Sequence, residues 1–402
     1  MKILYISTVF PRPEQSSTIY TDLAEELKKR GHEIFVVASD GTGKVNRVEM
    51  REERGIPVLR VKIAKMYDVG FIQKGISVVT LKYYLINAMK RKFKKEKFDF
   101  ILFETPPITI IDVVKWSMDR FNCPSYLMLK DIFPQNGVDI GVIKKNSLIY
   151  KYFKYKEKKL YNIATIIGCM SEANKQYILS NNSLINGNKV ELFPNTKKIT
   201  YNSERPTNYE MRLKYGIPEN KVVAVFGGNM GKPQGLEFLM DIIKANNESK
   251  DIFFLLVGRG TERLMIRNFI SKEGLTNVLL LDALPRDDYE CLMTECDIGL
   301  IFLNEKFTIP NFPSRVLSYF EYGLPVIAAT DGNTDFGKMI ENATAGYYIA
   351  AGDIETFNLK LKELARDFEK RNKMGKSGRK YLEENFQTGI SVDILEKHFR
   401  EV

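Results

Sequence analysis

The sequence predicts an α/β protein built as two doubly wound parallel sheets, one following the other along the chain. Three observations carry this. At 402 residues the chain is long enough for two domains of ordinary size. A strand–helix–strand unit is complete within the first forty residues, which is how a doubly wound sheet opens. A second opening, an apolar strand leading into a glycine-rich turn and a helix, begins at Val222. Composition suits a folded chain, with 44% hydrophobic and 27% charged residues.

Lys2 to Ser7 is a short apolar run, as expected of a buried parallel strand. The loop Thr8 to Ser17 feeds a helix with Ile19, Leu23, Ala24 and Leu27 on its apolar face. Lys28, Lys29 and Arg30 complement its C-terminal dipole, and Gly31 stops it. Ile34 to Ala38 is the second strand. Ser16, Ser17 and Thr18 offer hydroxyls and N–H groups at the helix start, where a plain cap and a ligand contact read alike.

Phe71, Ile72, Ile76, Val78 and Val79 lie in a glycine-containing stretch that precedes a helix with apolar Leu81, Leu85, Ala88, Met89 and Phe93. Lys82, Lys90, Arg91, Lys92, Lys94, Lys95 and Lys97 crowd its surface and end. Residues 144–159 repeat the pattern, with Tyr150, Tyr152, Phe153 and Tyr155 among lysines. Such a helix either packs on a core with a solvated basic end or lies on an anionic bilayer. Two of them in one domain favour the membrane surface. Strands recur at Phe98 to Phe103, Ser125 to Leu129, Ala164 to Ile167 and Val190 to Phe193. Glu104 to Pro107 and Lys130 to Gln135 follow two of these, at the carboxyl ends where ligands gather in parallel sheets. Glu104 and Asp131 are the carboxylates there. Residues 196–218 are polar and read as a linker.

Charge is uneven. Residues 1–200 carry 34 Lys+Arg and 20 Asp+Glu, a net of +14, and the remainder a net of −4. The first half therefore expects an anionic partner. No nucleic-acid motif accompanies the basic patches, so nucleic acid is not expected. The four cysteines are scattered and there are two histidines, which argues for reduced thiols and against a zinc site. No apolar run approaches the ~18–20 residues of a spanning helix, and Met1-Lys2 runs straight into a strand rather than a signal peptide. The expected location is cytoplasmic.

In the second half, Val222 to Phe226 leads into Gly227 to Gly235 and a helix from Leu236. Gly228 and Asn229 let backbone N–H groups approach a phosphate, with Lys232 as counter-charge. Val257-Gly258-Arg259-Gly260 follows, then strands at Leu279 to Leu281 and Ile298 to Phe302. The stretch Ile309 to Asp331, IPNFPSRVLSYFEYGLPVIAATD, reads as a loop, a short helix capped by Ser314 and stopped by Gly323, and a strand Pro325 to Ala329. Arg315 in the first turn is poorly placed for the helix itself. A bound phosphate justifies it, and a plain loop–helix–strand unit with a surface arginine is the other reading.

That stretch resembles the "PSK…EYMAAGKPVIA" segment of retaining GT-B glycosyltransferases of the family 4 type. The resemblance implies two Rossmann-like domains facing a cleft, at 1–200 and 201–378, with residues 379–402 packing back on the first. It departs at one position, where Ser318 stands for the family's ribose-binding glutamate and Glu321 comes three residues later. LAEELKKRGHEIFVVASD resembles the family's first unit, without its usual glycine pair. GGNMGKPQG resembles the "GNxGxxQG" variant. KDIFPQ resembles the "RDLWPE" segment of bacterial transferases acting on lipid-linked sugars, including the N-acetylfucosamine type, with Lys130 where Arg or His is common.

The resemblance implies a nucleotide-sugar site formed by Gly228, Asn229, Lys232, Arg259, Leu284, Asn311, Phe312, Ser314, Arg315 and Ser318, with Asp282 to Pro285 receiving the base. Asp131 and Glu104 are the candidates for orienting the acceptor hydroxyl or stabilising an oxocarbenium ion, or else they are capping carboxylates. Ser16, Ser17 and Lys130 stand on the acceptor side. No Asp-x-Asp motif occurs, so neither metal nor cofactor is expected, and Lys232, Arg259 and Arg315 meet the diphosphate charge. The expected activity is sugar transfer from a UDP-sugar, of the N-acetylated deoxyhexose kind, to an undecaprenyl-diphosphate-linked acceptor in capsule or O-antigen synthesis on the inner membrane face. The alternatives are a GT-B scaffold that has lost catalysis and a nucleotide-sugar epimerase.

Overall fold

The computed structural model describes residues 1–15, 17–41, 48–64, 71–201 and 209–400, with backbone only at 71–74 and 76. Ser16, most of the expected linker (202–208), and the side chains of Phe71, Ile72 and Ile76 lie outside this. The chain divides into two compact units. The first holds Met1–Lys198 together with Thr388–Val402, and the second holds Ile199–Gln387.

The first unit has strands β1 (Lys2–Ser7), β2 (Glu33–Asp40), β3 (Val48–Glu53), β4 (Ile56–Lys62), β5 (Phe100–Thr105), β6 (Ser125–Leu129), β7 (Ile166–Cys169) and β8 (Val190–Leu192). Its helices are α1 (Ile19–Lys29), α2 (Phe71–Lys92), α3 (Ile111–Phe121), the short α4 (Gln135–Asp139), α5 (Leu148–Ile163) and α6 (Glu172–Asn181). The strand order is β3-β4-β2-β1-β5-β6-β7-β8, parallel except for β3. The order reverses between β1 and β5, and a switch point of this kind opens a crevice at the carboxyl ends of the strands.

Three elements differ from expectation. The β3–β4 hairpin was not foreseen, because Val48–Glu53 is mostly charged and exposed, which suits an antiparallel edge strand and hides it from an apolar search. β5 runs through Thr105, so Glu104 is a strand residue and not a loop residue. α2 starts at Phe71, with Gly75 inside it, where tertiary packing absorbs the ~1 kcal/mol that glycine costs a helix.

Two sets stand out among the cations of α2, of α5 and of the segment before α5. Lys82, Lys156 and Lys159 converge on Asp112 of α3, at 3.5, 2.6 and 2.8 Å. Lys90, Arg91, Lys92, Lys144, Lys145 and Lys151 remain exposed. Beside them Leu148 is 84% exposed, Tyr155 63% and Tyr83 59%. Among the described residues, no helix is long and apolar enough to cross a membrane.

The second unit has strands β9 (Val222–Asn229), β10 (Ile252–Arg259), β11 (Val278–Leu281), β12 (Ile298–Phe302), β13 (Val326–Thr330) and β14 (Gly346–Ala350). Its helices are α7 (Glu210–Tyr215), α8 (Leu236–Ala245), α9 (Arg263–Lys272), α10 (Arg286–Thr294), α11 (Arg315–Glu321), α12 (Phe336–Asn342), α13 (Ile354–Arg366) and α14 (Phe368–Asn385). The all-parallel order β11-β10-β9-β12-β13-β14 is the dinucleotide-binding arrangement, with its switch point between β9 and β12. Phe226, Leu239, Phe254, Leu256, Leu300, Phe302 and Phe357 form the centre of its core.

The last helix, α15 (Thr388–Phe399), belongs to the first unit. Val392 and Leu395 enter that unit's core. Arg30 bonds Asp393 at 2.5 Å and Thr196 bonds Ser391 at 2.7 Å. The return to the first unit therefore begins at Thr388 and not at residue 379, which is still inside α14.

Candidate active site

In the second unit the site is assembled at the switch point. β9 ends on Gly227-Gly228-Asn229, and Gly228 has φ +114°, a conformation side chains resist. Its neighbour across the ladder is Gly258, where an added Cβ would stand 1.9 Å from the Gly228 carbonyl oxygen. The two glycines thus let the ends of β9 and β10 meet backbone to backbone, leaving exposed Asn229 and Arg259 side by side. A short turn, Lys232–Gln234, then leads into α8, and the Lys232 carbonyl accepts from Asn304 Nδ2 beyond β12 at 3.1 Å.

Arg315, at the start of α11, reaches back over this turn. Its Nη2 donates to Gln234 Oε1 at 2.6 Å, its guanidinium lies 4.3 Å from the centre of the Phe226 ring, and it borders Gly228. Its Nη1 is buried without a hydrogen-bond partner. Burial lowers its affinity for the proton, and no carboxylate pairs with it among the described residues. Lys232 and Arg259 are exposed and equally without an ion pair among those residues. Three cations without an ion pair among the described residues thus stand around one glycine turn, and the buried Nη1 of Arg315 is a donor that an anion could satisfy.

Ser314 departs from expectation. It precedes α11 in a helical conformation, φ −65° and ψ −16°, and its side chain makes no capping bond. A cap needs an extended residue for its oxygen to turn back onto the following amides, so the exposed hydroxyl is left to the solvent side. Asn311 Nδ2 bonds the nearby Ile309 carbonyl at 3.3 Å, and Phe312 is buried edge-on against Phe336. Leu284 is partly exposed in the loop between β11 and α10.

Ser318 is partly buried on α11. Glu321 does not stand in for the missing glutamate. It is buried, and its Oε1 accepts from Thr200 N at 2.7 Å, Thr200 Oγ1 at 3.1 Å and Tyr201 N at 3.0 Å. Arg379 Nη1 donates to the Tyr201 and Glu321 carbonyls at 2.6 and 2.8 Å, completing a clamp on the start of the unit.

Sequence reading missed Gln234, Tyr289 and Tyr319. The Tyr319 hydroxyl accepts from Gly227 N at 3.0 Å and lies within reach of the Val225 and Leu300 carbonyls, which fixes α11 to β9 and β12. Tyr289 of α10 stands over Gly227, where an added Cβ would lie 2.2 Å from its hydroxyl.

In the first unit the corresponding edge carries Glu104, Lys130 and Asp131. Glu104 bridges the switch point, its Oε1 accepting from Ser7 Oγ at 2.8 Å and Thr8 N at 2.9 Å at the end of β1. Burial pushes its carboxyl up to about 7, against the pull of those two bonds. Lys130 follows β6, and its amine lies 5.1 Å from the centre of the Phe193 ring. Burial brings it down to about 7, opposed by nearby Cys169 and Glu104. Asp131 Oδ2 accepts from Asn136 Nδ2 at 2.6 Å, and burial raises this carboxyl to about 6. Thr18 is the cap of α1, with Thr21 returning the bond, so the capping reading accounts for the start of that helix. Ser17 is partly exposed beside it.

These shifts have opposite consequences for stability. Between pH 4.5 and about 7, folded Glu104 keeps a proton that the unfolded chain has released, so stability falls as pH rises and the loss is complete above 7. Between about 7 and 10.5, the unfolded chain holds the Lys130 proton that the folded protein has lost, so stability rises with pH. Glu104→Gln keeps an acceptor oxygen for Ser7 and Thr8 and removes only the falling limb. Its urea-unfolding free energy relative to wild type should improve from pH 5 to pH 8 by on the order of 2 kcal/mol. A difference that stays constant across that range would mean that Glu104 ionises as an ordinary carboxylate.

Two doubly wound parallel units, the second in the dinucleotide-binding strand order, are the architecture of the GT-B fold. Two family models match the chain in succession: Glycosyltransferase Family 4 over residues 16–196 and Glycosyl transferases group 1 over residues 208–381. The chain belongs to the family 4 type of GT-B glycosyltransferases. It is 22% identical to the probable glycosyltransferase WbjE of Pseudomonas aeruginosa, over 76% of this chain and 75% of that one. It is also 22% identical to the capsular polysaccharide biosynthesis glycosyltransferase CapM of Staphylococcus aureus, over 99% and 96%. Among solved structures, Anabaena HepE in complex with UDP and glucose matches all of both chains, with TM-score 0.70 and 17% identity.

Proposed function

We propose that this chain transfers a sugar, with retention, from a UDP-sugar to an undecaprenyl-diphosphate-linked acceptor in the assembly of a surface polysaccharide. The observation that carries the donor half is Arg315, a guanidinium with a buried, unpartnered Nη1 beside Gly228 and no carboxylate among the described residues. A nucleoside diphosphate supplies the missing negative charge. As the glycosidic bond to the donor breaks, Arg315, Lys232 and Arg259 stabilise the charge that develops on the leaving diphosphate, an electrostatic contribution that is often the largest in catalysis. The choice of UDP is supported by the HepE complex, and the polysaccharide setting by the name of CapM. An N-acetylated deoxyhexose as the sugar rests on the likeness of KDIFPQ to the transferases of that kind.

The acceptor half rests on the first unit. Asp131, with its raised proton affinity, is suited to hold the acceptor hydroxyl and Lys130 to face an anionic part of the acceptor. The exposed Tyr83, Leu148 and Tyr155, on segments that also carry exposed Lys90, Arg91, Lys92, Lys144, Lys145 and Lys151, suit the surface of an anionic bilayer, in which a lipid-linked acceptor resides. This reading puts the protein on the inner face of the membrane without spanning it.

Thermal unfolding with UDP, GDP, ADP and several UDP-sugars tests the donor half. A ligand at ~100 times its Kd stabilises the fold by about 2.7 kcal/mol. UDP and one UDP-sugar should raise the midpoint in wild type and do so much less in Lys232→Ala. No response to any nucleotide overturns the reading and leaves a scaffold without catalysis as the better account.

A further inference from the structure

The family's usual carboxylate for the ribose is absent at Ser318, and the nearest glutamate on α11, Glu321, is spent on Thr200 and Tyr201. Resting on the donor reading above, we propose that Tyr289 recognises the ribose, its phenol hydroxyl bonding a ribose hydroxyl of the nucleotide.

The placement follows from the topology. The loop expected to receive the base ends at Pro285, and α10 begins at the next residue. Because β11 is the edge strand and β12 lies beyond β9, α10 must cross above β10 and β9 to join them. Its first turn therefore lies between the base loop and the glycine turn. Tyr289 is in that turn, and its hydroxyl stands over Gly227, one residue from the Gly228 that borders Arg315. With base at one end and diphosphate at the other, the ribose falls between them.

The chemistry agrees with the position. The Tyr289 hydroxyl has no hydrogen-bond partner among the described residues, whereas Tyr319, also against Gly227, is bonded to the backbone of β9. Burial and the neighbouring Tyr319 hold the Tyr289 phenol protonated, so it can both donate to and accept from a sugar hydroxyl. Gly227 has no side chain where one would strike this hydroxyl, which is what lets the phenol stand against the end of β9. A tyrosine there reads the ribose without the charge of the glutamate it replaces.

Calorimetric titration with UDP, 2′-deoxy-UDP, 3′-deoxy-UDP and inorganic pyrophosphate tests this on the full chain. Wild type should bind UDP about 5- to 10-fold more tightly than at least one deoxy analogue, the discrimination of one hydrogen bond. In Tyr289→Phe that ratio should fall to about 1 with pyrophosphate binding unchanged. Gly227→Ala, which displaces the hydroxyl without altering Tyr289, should lose the same ratio. A ratio preserved in Tyr289→Phe overturns the proposal, as does an equal loss of UDP and pyrophosphate binding, which would assign Tyr289 to the diphosphate or to the fold. Failure of wild type to bind UDP overturns the donor reading instead, so the two failures are distinct.

Discussion

Arg315→Ala should lower kcat/KM for the nucleotide-sugar donor by ~10²–10³-fold, the loss seen when one preorganised charge-stabilising group is removed from an active site. The same substitution should leave folding stability within about 1 kcal/mol of wild type. It deletes a hydrogen bond to Gln234 and a contact with Phe226, but it also removes a partly buried cation whose Nη1 has no partner. Arg315→Lys should recover only part of the loss, because a point charge cannot reach Gln234 and two phosphate oxygens together. Steady-state kinetics set against urea unfolding separate the two effects. Unaltered turnover, or a loss matched by a collapse of stability, would leave Arg315 with a packing role alone.

Asp131→Ala should cost turnover at least ~10²-fold while UDP affinity stays near that of wild type, because the carboxylate belongs to the first unit and the proposed nucleotide site to the second. With its carboxyl raised to about 6, Asp131 is ionised at neutral pH and able to accept a proton from the acceptor hydroxyl. The rate in wild type should therefore decline as pH falls through about 6. Asp131→Asn preserves the bond with Asn136 in form and should be as slow as the alanine variant. Full activity in either variant would remove Asp131 from the mechanism and leave it as a strand-end cap.

The units differ in how much of them could be read from the chain. β1, α1 and β2 are local in origin, since apolar runs, a cap and a glycine stop all lie within forty residues. The same holds for β9 and the turn after it. Gly228, Lys232, Arg259 and Arg315 could be placed from the chain because they lie at the ends of β9 and β10, in the turn after β9 and at the start of α11.

What escaped is what depends on distant parts of the chain. β3 is charged because it is an edge, and only its pairing with β4 reveals it as a strand. Tyr289 and Tyr319 look like core residues of amphipathic helices, and nothing local indicates that both approach Gly227. Gln234 reads as a turn residue until Arg315 is found against it. Ser314 has the right chemistry for a cap but the wrong backbone angles, and angles are not visible in a residue name.

The return of α15 to the first unit bears on how the molecule comes into being. During synthesis, Met1–Lys198 emerges first but lacks Val392 and Leu395 from its core and Ser391 as the partner of Thr196. The second unit, Ile199–Gln387, is continuous and has all its strands once Gln387 has left the ribosome. The half made first is therefore the half completed last, against the usual order in which domains fold as they emerge. Until Thr388–Phe399 arrives, the first unit lacks Val392 and Leu395 from its apolar interior, and α15 acts as the piece that closes it.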